Sequence, residues 1–364
     1  VVDTEPDLGY IHRGVEKICE TRDFTQIIPY CDRLCYASAN TWSHAYIYAV
    51  EDLLEVEVPE RAEYIRMVAV ELQRIASHLM WLGAYCPDVG NLTGMVWCLR
   101  EREMMMDLMQ ELGGSRMHYN FPRVGGVKRD LPIGFAQRCR AKLTLFLERI
   151  QEYEAILDES TIFLIRTQGV GYAKAAEMVN HGVSGPNVRA AGHNYDVRWA
   201  HPYSIYDELD WEPAVERPSI KGSDCYDRYL VRVEELRQSN RIIRQCVDWL
   251  RANPGPVMVD DMKLAAPKRE DMKEDMEALI HHFKLFTEGF CIPEGEAYAA
   301  VEAPKGEFGV YLISDGANKP YRLKLRAPGF AHLSSMNEMV TGHMLADVVA
   351  VIGTQDIVFG EIDR

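Results

Sequence analysis

Cys35 and Tyr36 stand side by side with Cys31 four residues upstream, and Asp88, His118 and a Gly169-Val170-Gly171 stretch follow. These are the places in the 364-residue chain where chemistry could begin. The nine cysteines fall at 19, 31, 35, 86, 98, 139, 225, 246 and 291, and no Cys-x-x-Cys pair occurs. Structural zinc and Cys-ligated iron–sulfur clusters need grouped thiolates. The chain should therefore hold no metal of its own, and its scattered thiols read as buried, reduced cysteines. Gly169-Val170-Gly171 runs into Tyr172, Ala173 and Lys174, completing neither a dinucleotide fingerprint nor a phosphate loop. His281-His282 lies in a helical pattern, where adjacent residues point about 100° apart and chelate poorly. If this chain handles electrons, the redox centre lies on a partner. On residue type alone, Tyr36 reads as an interfacial core tyrosine and His118 as a satisfied structural histidine. Asp88, between Pro87 and Gly90, reads as part of a turn or cap.

A chain of this length with 47% apolar residues can bury a large core, as one big domain or two fused lobes. Its formal charge of −15 argues against nucleic acid, which needs a basic footprint. No run of about 18 apolar residues is present to span a bilayer. The acidic start Val1-Val2-Asp3-Thr4-Glu5-Pro6 is not a signal peptide. It also lacks Met and begins in a mid-strand pattern, as a missing N-terminal piece would leave it.

Several helices must position these groups. Pro59 opens the clearest, with Ile65, Val68, Leu72, Ile75, Leu79 and Leu82 on one face and Arg61, Glu63, Arg66, Glu71 and Arg74 on the remainder. A second, roughly 95–112, stops at Gly113-Gly114 and carries Met104-Met105-Met106 as adaptable core packing. Others cover roughly 133–160, 224–251, 267–288 and 336–351. Asn240 interrupts the seam of the 224–251 helix and calls for a polar partner. Tyr298 to Glu302, Glu307 to Ser314 and Tyr321 to Arg326 alternate as a three-stranded antiparallel meander. The fold class is α+β, mainly helical, with a small sheet near the C-terminus. The tail should fold inward, because Ile352, Ile357, Val358, Phe359 and Ile362 are too apolar for a free end.

Several stretches together resemble the 49 kDa (D) subunit family of respiratory complex I, whose fold is shared with the large subunit of nickel–iron hydrogenases. They include Ile11-His12-Arg13-Gly14, Asp32-Arg33-Leu34-Cys35-Tyr36, Pro59-Glu60-Arg61-Ala62-Glu63-Tyr64 and Asp224-Cys225-Tyr226-Asp227-Arg228-Tyr229. Glu302-Ala303-Pro304-Lys305-Gly306-Glu307 and Asp356-Ile357-Val358-Phe359-Gly360-Glu361-Ile362-Asp363-Arg364 extend the likeness to the end of the chain. It covers essentially all of residues 1–364, which implies one domain of that family with a hydrogenase-like helical core. In the hydrogenases two Cys-x-x-Cys pairs hold the metal; here those positions read Cys35, Ser38, Val358 and Glu361, so a nickel site cannot be built. Arg364 replaces a further metal-site histidine.

The resemblance implies a quinone cavity where that metal used to be, with Val358 and Phe359 in its apolar wall. Tyr36 matches the tyrosine that donates to the quinone carbonyl, a task suited to an uncharged phenol. Asp88 matches the aspartate paired with a histidine of a Gly-Pro-Gln-His-Pro loop, which lies upstream of position 1; a turn or cap reading stands beside it. Arg33, His118, Asp356 and Arg13 match positions near the terminal cluster. There an imidazole would bind its proton more tightly when the cluster is reduced, although Arg13 equally suits a structural role.

The resemblance further implies a peripheral-arm subunit of a proton-pumping NADH:quinone oxidoreductase, with no activity expected from the isolated chain. Quinone would be the substrate. The terminal 4Fe-4S cluster would sit on a small partner subunit, and NAD and FMN on other subunits. A 30 kDa-type (C) subunit and a quinone-channel membrane subunit are the remaining expected neighbours. The chain would lie on the cytoplasmic side of a bacterial inner membrane or the matrix side of the mitochondrial one. NADH is the family's usual donor, with ferredoxin or reduced deazaflavin in some relatives. The alternative is a non-catalytic scaffold subunit of a related hydrogenase- or antiporter-type complex.

Overall fold

The computed structural model describes residues 1–215 and 223–364. Helices dominate, and the longest, Glu60–Asp88, begins directly after Pro59, whose ring presets the first turn. The expected apolar stripe of this helix is buried, but so is much of the opposite face, including Arg66, Glu71, Arg74 and His78. That polar face meets counter-charges instead of water. Arg66 lies 2.6 Å from Glu51, Glu71 3.3 Å from Arg198, and His78 2.6 Å from Glu235. Burial alone would raise the Glu71 carboxyl, but Arg74 and Arg198 beside it hold it below its usual range.

The Leu92–Gly113 helix packs against Glu60–Asp88 and stops at Gly114, which takes the left-handed conformation (φ 85°) that the paired glycines foretold. Met105 and Met106 are buried in the core. Helices Phe135–Asp158 and Cys225–Ala252 complete the bundle. The seam-breaking Asn240 donates from Nδ2 to the Leu143 carbonyl at 2.8 Å and accepts from Arg244 at 2.7 Å.

The meander is present in the order of the chain: Gly295–Ala303, Gly306–Ser314 and Arg322–Arg326, all antiparallel. A smaller hairpin pairs Pro122–Arg123 with Gly126–Val127. One face of the meander packs on the Ala39–Leu54 helix, where the Trp42 and Phe308 rings stack at 3.6 Å. That helix was not legible in the sequence. It is buried nearly all round, from Ala39 to Ile47 without a break, so no amphipathic period marks it.

Two expected helices are corrected. The segment 267–288 is broken into Asp271–Glu274 and Met276–Thr287, because the Asp275 carboxylate accepts from the Glu277 amide at 3.0 Å and caps a fresh start. The segment 336–351 divides into Met336–Val340 and Leu345–Gln355, with Gly342 at φ 88° between them. The opening residues read as mid-strand form no strand; the Val1 nitrogen instead donates to the His343 carbonyl at 2.7 Å. The tail folds inward as the short helix Phe359–Asp363, with Ile362 buried. Among the described residues, no helix is long and apolar enough to cross a membrane.

Candidate active site

Three segments converge on one cavity of about 170 Å³. The first is the tight turn Tyr36–Ser38, which follows the end of the Phe24–Asp32 helix. The second is one face of Glu60–Asp88, where Ser77, Trp81, Tyr85 and Asp88 recur at the three- and four-residue steps of a helix stripe. The third runs from Ile352 to Phe359, where the Leu345–Gln355 helix ends and the C-terminal helix begins.

A fourth contribution comes from the hairpin tip. The turn between Ala303 and Gly306 consists of Pro304 and Lys305 alone. Hairpin tips ordinarily face water; this one is driven into the core. Gly306 sits at φ 140°, and a Cβ there would meet the Ser184 hydroxyl oxygen at 2.7 Å. The backbone approach that glycine permits delivers the Lys305 side chain, 1% exposed, to within 2.7 Å of Asp356.

Of the residues singled out from sequence, Tyr36, Asp88, Asp356, Val358 and Phe359 line this one cavity. Tyr36 is 43% exposed and Phe359 51%, so the opening is rimmed by aromatic rings. Asp88 ends its helix, and burial raises its carboxyl above the ordinary range. Asp356 takes a left-handed backbone (φ 56°), and its Oδ2 is buried without a hydrogen-bond partner among the described residues.

Arg33, His118 and Arg13 lie outside the cavity. His118 is held below its usual value by burial and then by the Arg33 charge, and its Nδ1 is buried without a partner among the described residues. Arg33 donates to the Pro29 carbonyl at 2.9 Å. Arg13 ties the two ends of the chain together: its side chain reaches the Gly360 carbonyl at 3.3 Å, and its amide the Arg364 carbonyl at 3.1 Å.

Of the four positions of the hydrogenase-like ligand pattern, Cys35, Ser38 and Glu361 lie off the cavity lining and Val358 is part of it. The Ser38 hydroxyl donates to Cys35 Sγ at 3.1 Å, and the Glu361 carboxyl accepts from the Gly329 amide at 3.2 Å. Burial, then Glu361, pushes the Cys35 thiol well above its ordinary value. Burial also pushes Glu361 up to about 7, against the pull of Lys305. A soft-metal site needs thiolates; this cluster offers one protonated thiol, a hydroxyl, an isopropyl group and a carboxyl. Among the described residues no group of three or more His, Cys, Asp or Glu is placed to hold a metal ion.

Sequence reasoning missed Lys305, Ser77, Trp81 and Tyr85 as lining residues. Lys305 was part of a recognised motif but carried no assigned role. The other three form a second stripe on a helix whose stronger apolar stripe claimed the periodicity, and reading both stripes would have found them.

The family model described as respiratory-chain NADH dehydrogenase, 49 Kd subunit, matches residues 88–364, and one for nickel-dependent hydrogenase matches residues 13–85. The two matches meet at the cavity, one ending at Tyr85 and the other opening on Asp88. Proteins named as the D-type subunit of NADH-quinone oxidoreductase are similar along 99% of this chain and 91% of their own length. The one from Nitrosococcus oceani is 54% identical, that from Alkalilimnicola ehrlichii 53%, and that from Chromobacterium violaceum 52%.

Proposed function

The chain belongs to the 49 kDa subunit family of respiratory-chain NADH dehydrogenase, and on that premise we propose that the cavity behind Tyr36 is where a quinone head group is reduced to quinol. The protein then works as a subunit of proton-translocating NADH:quinone oxidoreductase, as a single domain over 1–364. The observation that carries this reading is the convergence of Tyr36, Asp88 and the Lys305–Asp356 pair on one cavity walled by Val358 and Phe359.

At about 170 Å³ the space is smaller than the ~300 Å³ at which pockets for whole drug-sized ligands begin. It suits a planar ring, with any tail left to extend outside. Reduction adds two electrons and two protons, and negative charge develops on the carbonyl oxygens as the electrons arrive. Those electrons would come from a 4Fe-4S cluster held by a partner subunit. The Tyr36 phenol donates a hydrogen bond to one carbonyl oxygen. Lys305, cationic and buried, opposes the charge that develops nearby. Asp88, its carboxyl already raised by burial, can hold a proton near that site.

Arg33 and His118 support a second role, next to the partner's cluster, where reduction would tighten the histidine's hold on a proton. The neighbours we propose are that small iron–sulfur subunit, a 30 kDa-type (C) subunit and a quinone-channel membrane subunit. The chain then sits on the cytoplasmic or matrix face of the energy-transducing membrane.

The test is Tyr36→Phe in the assembled complex, followed with a short-chain quinone and with an artificial acceptor that takes electrons on the donor side. Quinone reduction should fall at least about tenfold, a loss on the order of one good charge-stabilising hydrogen bond, with donor-side activity intact. Unchanged quinone turnover would favour the non-catalytic scaffold.

A further inference from the structure

The Leu345–Gln355 helix points its C-terminus at the cavity, and its last carbonyls are met by side chains. Trp81 Nε1 donates to the Gly353 carbonyl at 2.6 Å, Arg232 to the Thr354 carbonyl at 2.8 Å, and Asn187 to the Gln355 carbonyl at 3.3 Å. These are the groups a helix leaves without intrahelical partners, and a cation beside them opposes the negative end of the helix dipole.

Arg232 makes a further contact that the others do not. Its guanidinium carbon lies 4.4 Å from the centroid of the Trp81 ring. Trp81 is a wall of the cavity; Arg232 is not. The arginine is 1% exposed and is locked in place by the Asn187 side-chain oxygen at 3.1 Å and the Arg228 carbonyl at 2.9 Å. One planar cation thus holds two walls at once, the indole by its face and the Gly353–Asp356 corner by its edge. Lysine cannot reproduce this, because a point charge on a flexible stem can keep one of the two contacts but not both.

We infer that Arg232 is a positioning residue for the cavity, fixing the Trp81 ring and the Gly353–Asp356 corner against which a planar head group rests. It does so without touching the bound molecule. The inference rests on the quinone reading above.

In the assembled complex, Arg232→Lys should raise the KM for a short-chain quinone about fivefold, the worth of roughly one net contact. The kcat and the donor-side activity with an artificial acceptor should stay near wild type. Trp81→Phe keeps the ring over Arg232 but removes the bond to Gly353, and should raise KM about two- to threefold. It decides the matter if Arg232→Lys fails to assemble. A wild-type KM in whichever variants assemble overturns the inference. So does a loss of kcat in step with the amount of assembled complex, which would mark a purely structural role. Tyr36→Phe run in parallel separates the two failures. If it loses turnover while Arg232→Lys and Trp81→Phe keep a wild-type KM, only this inference falls. If Tyr36→Phe turns over normally, the quinone reading falls and takes this inference with it.

Discussion

Lys305 Nζ lies 2.7 Å from Asp356 Oδ1, and both side chains are almost wholly buried beside the cavity. Burial by itself would loosen the lysine's hold on its proton. The Asp356 charge opposes that and raises it, so the ammonium stays charged. The aspartate's second oxygen has no partner among the described residues, leaving one acceptor free at the cavity edge.

Breaking this pair should cost more than deleting it. Lys305→Met leaves Asp356 buried and unpaired, a loss of about 3–5 kcal/mol. The double variant Lys305→Met/Asp356→Leu should recover most of it. Thermal unfolding of the purified complex, read at this subunit by limited proteolysis, compares the two. Equal losses in both variants would contradict the pairing argument.

Glu361 makes stability depend on pH in an unusual direction for a carboxylate. Its folded value, pushed up to about 7 by burial, lies above the ordinary range near 4.3. The folded state therefore binds the proton more tightly than the unfolded chain does. That contribution is fully present below pH ~4.3 and is lost as pH rises through 7, a change of about 4 kcal/mol. Glu361→Gln should flatten this part of the profile, so between pH 5 and 8 its melting temperature falls less than that of wild type. Parallel profiles would show that Glu361 is not the titrating group.

Arg33 should tune His118. Burial and then the arginine's charge keep the imidazole below its usual value, so Arg33→Gln raises it. If the proposed cluster lies beside them in the assembled complex, the pH at which its midpoint potential begins to fall should move upward. A potential–pH curve that does not move would disconnect the two residues.

Gly353 has no room for a methyl group. A Cβ there would meet Tyr85 Cδ2 at 2.6 Å and Cε2 at 3.0 Å, both carbons of a ring that lines the cavity. Gly353→Ala should cost about 1–3 kcal/mol through overpacking and push the Tyr85 ring into the cavity. Titration with a quinone-site inhibitor should show weaker binding; wild-type affinity would mean that the ring relaxes elsewhere.

The amino-acid order alone settled the long helices with clean stripes, the three strands with their turns, and the inward-folded tail. In each, residue period or turn chemistry is a local property. Tyr36, Asp88, Val358 and Phe359 came forward through the family resemblance alone; by residue type Tyr36 reads as a core tyrosine and Asp88 as a turn. The order alone did not disclose the Ala39–Leu54 helix, whose all-round burial erases the period, nor the charged interior of Glu60–Asp88. Arg66, Glu71 and Arg74 look like a solvated face until partners from distant segments arrive.

Tertiary structure alone decided which residues share the cavity. Lys305 is a hairpin-tip lysine, a type and place that locally mean solvent, and only the close backbone contact at Gly306 turns it inward. Arg232 and Trp81 lie 151 positions apart on separate helices, and no local period encodes their stacking. Periodicity is written along the chain, whereas the pairing of buried charges is written across it, and so it becomes visible only when the chain has closed on itself.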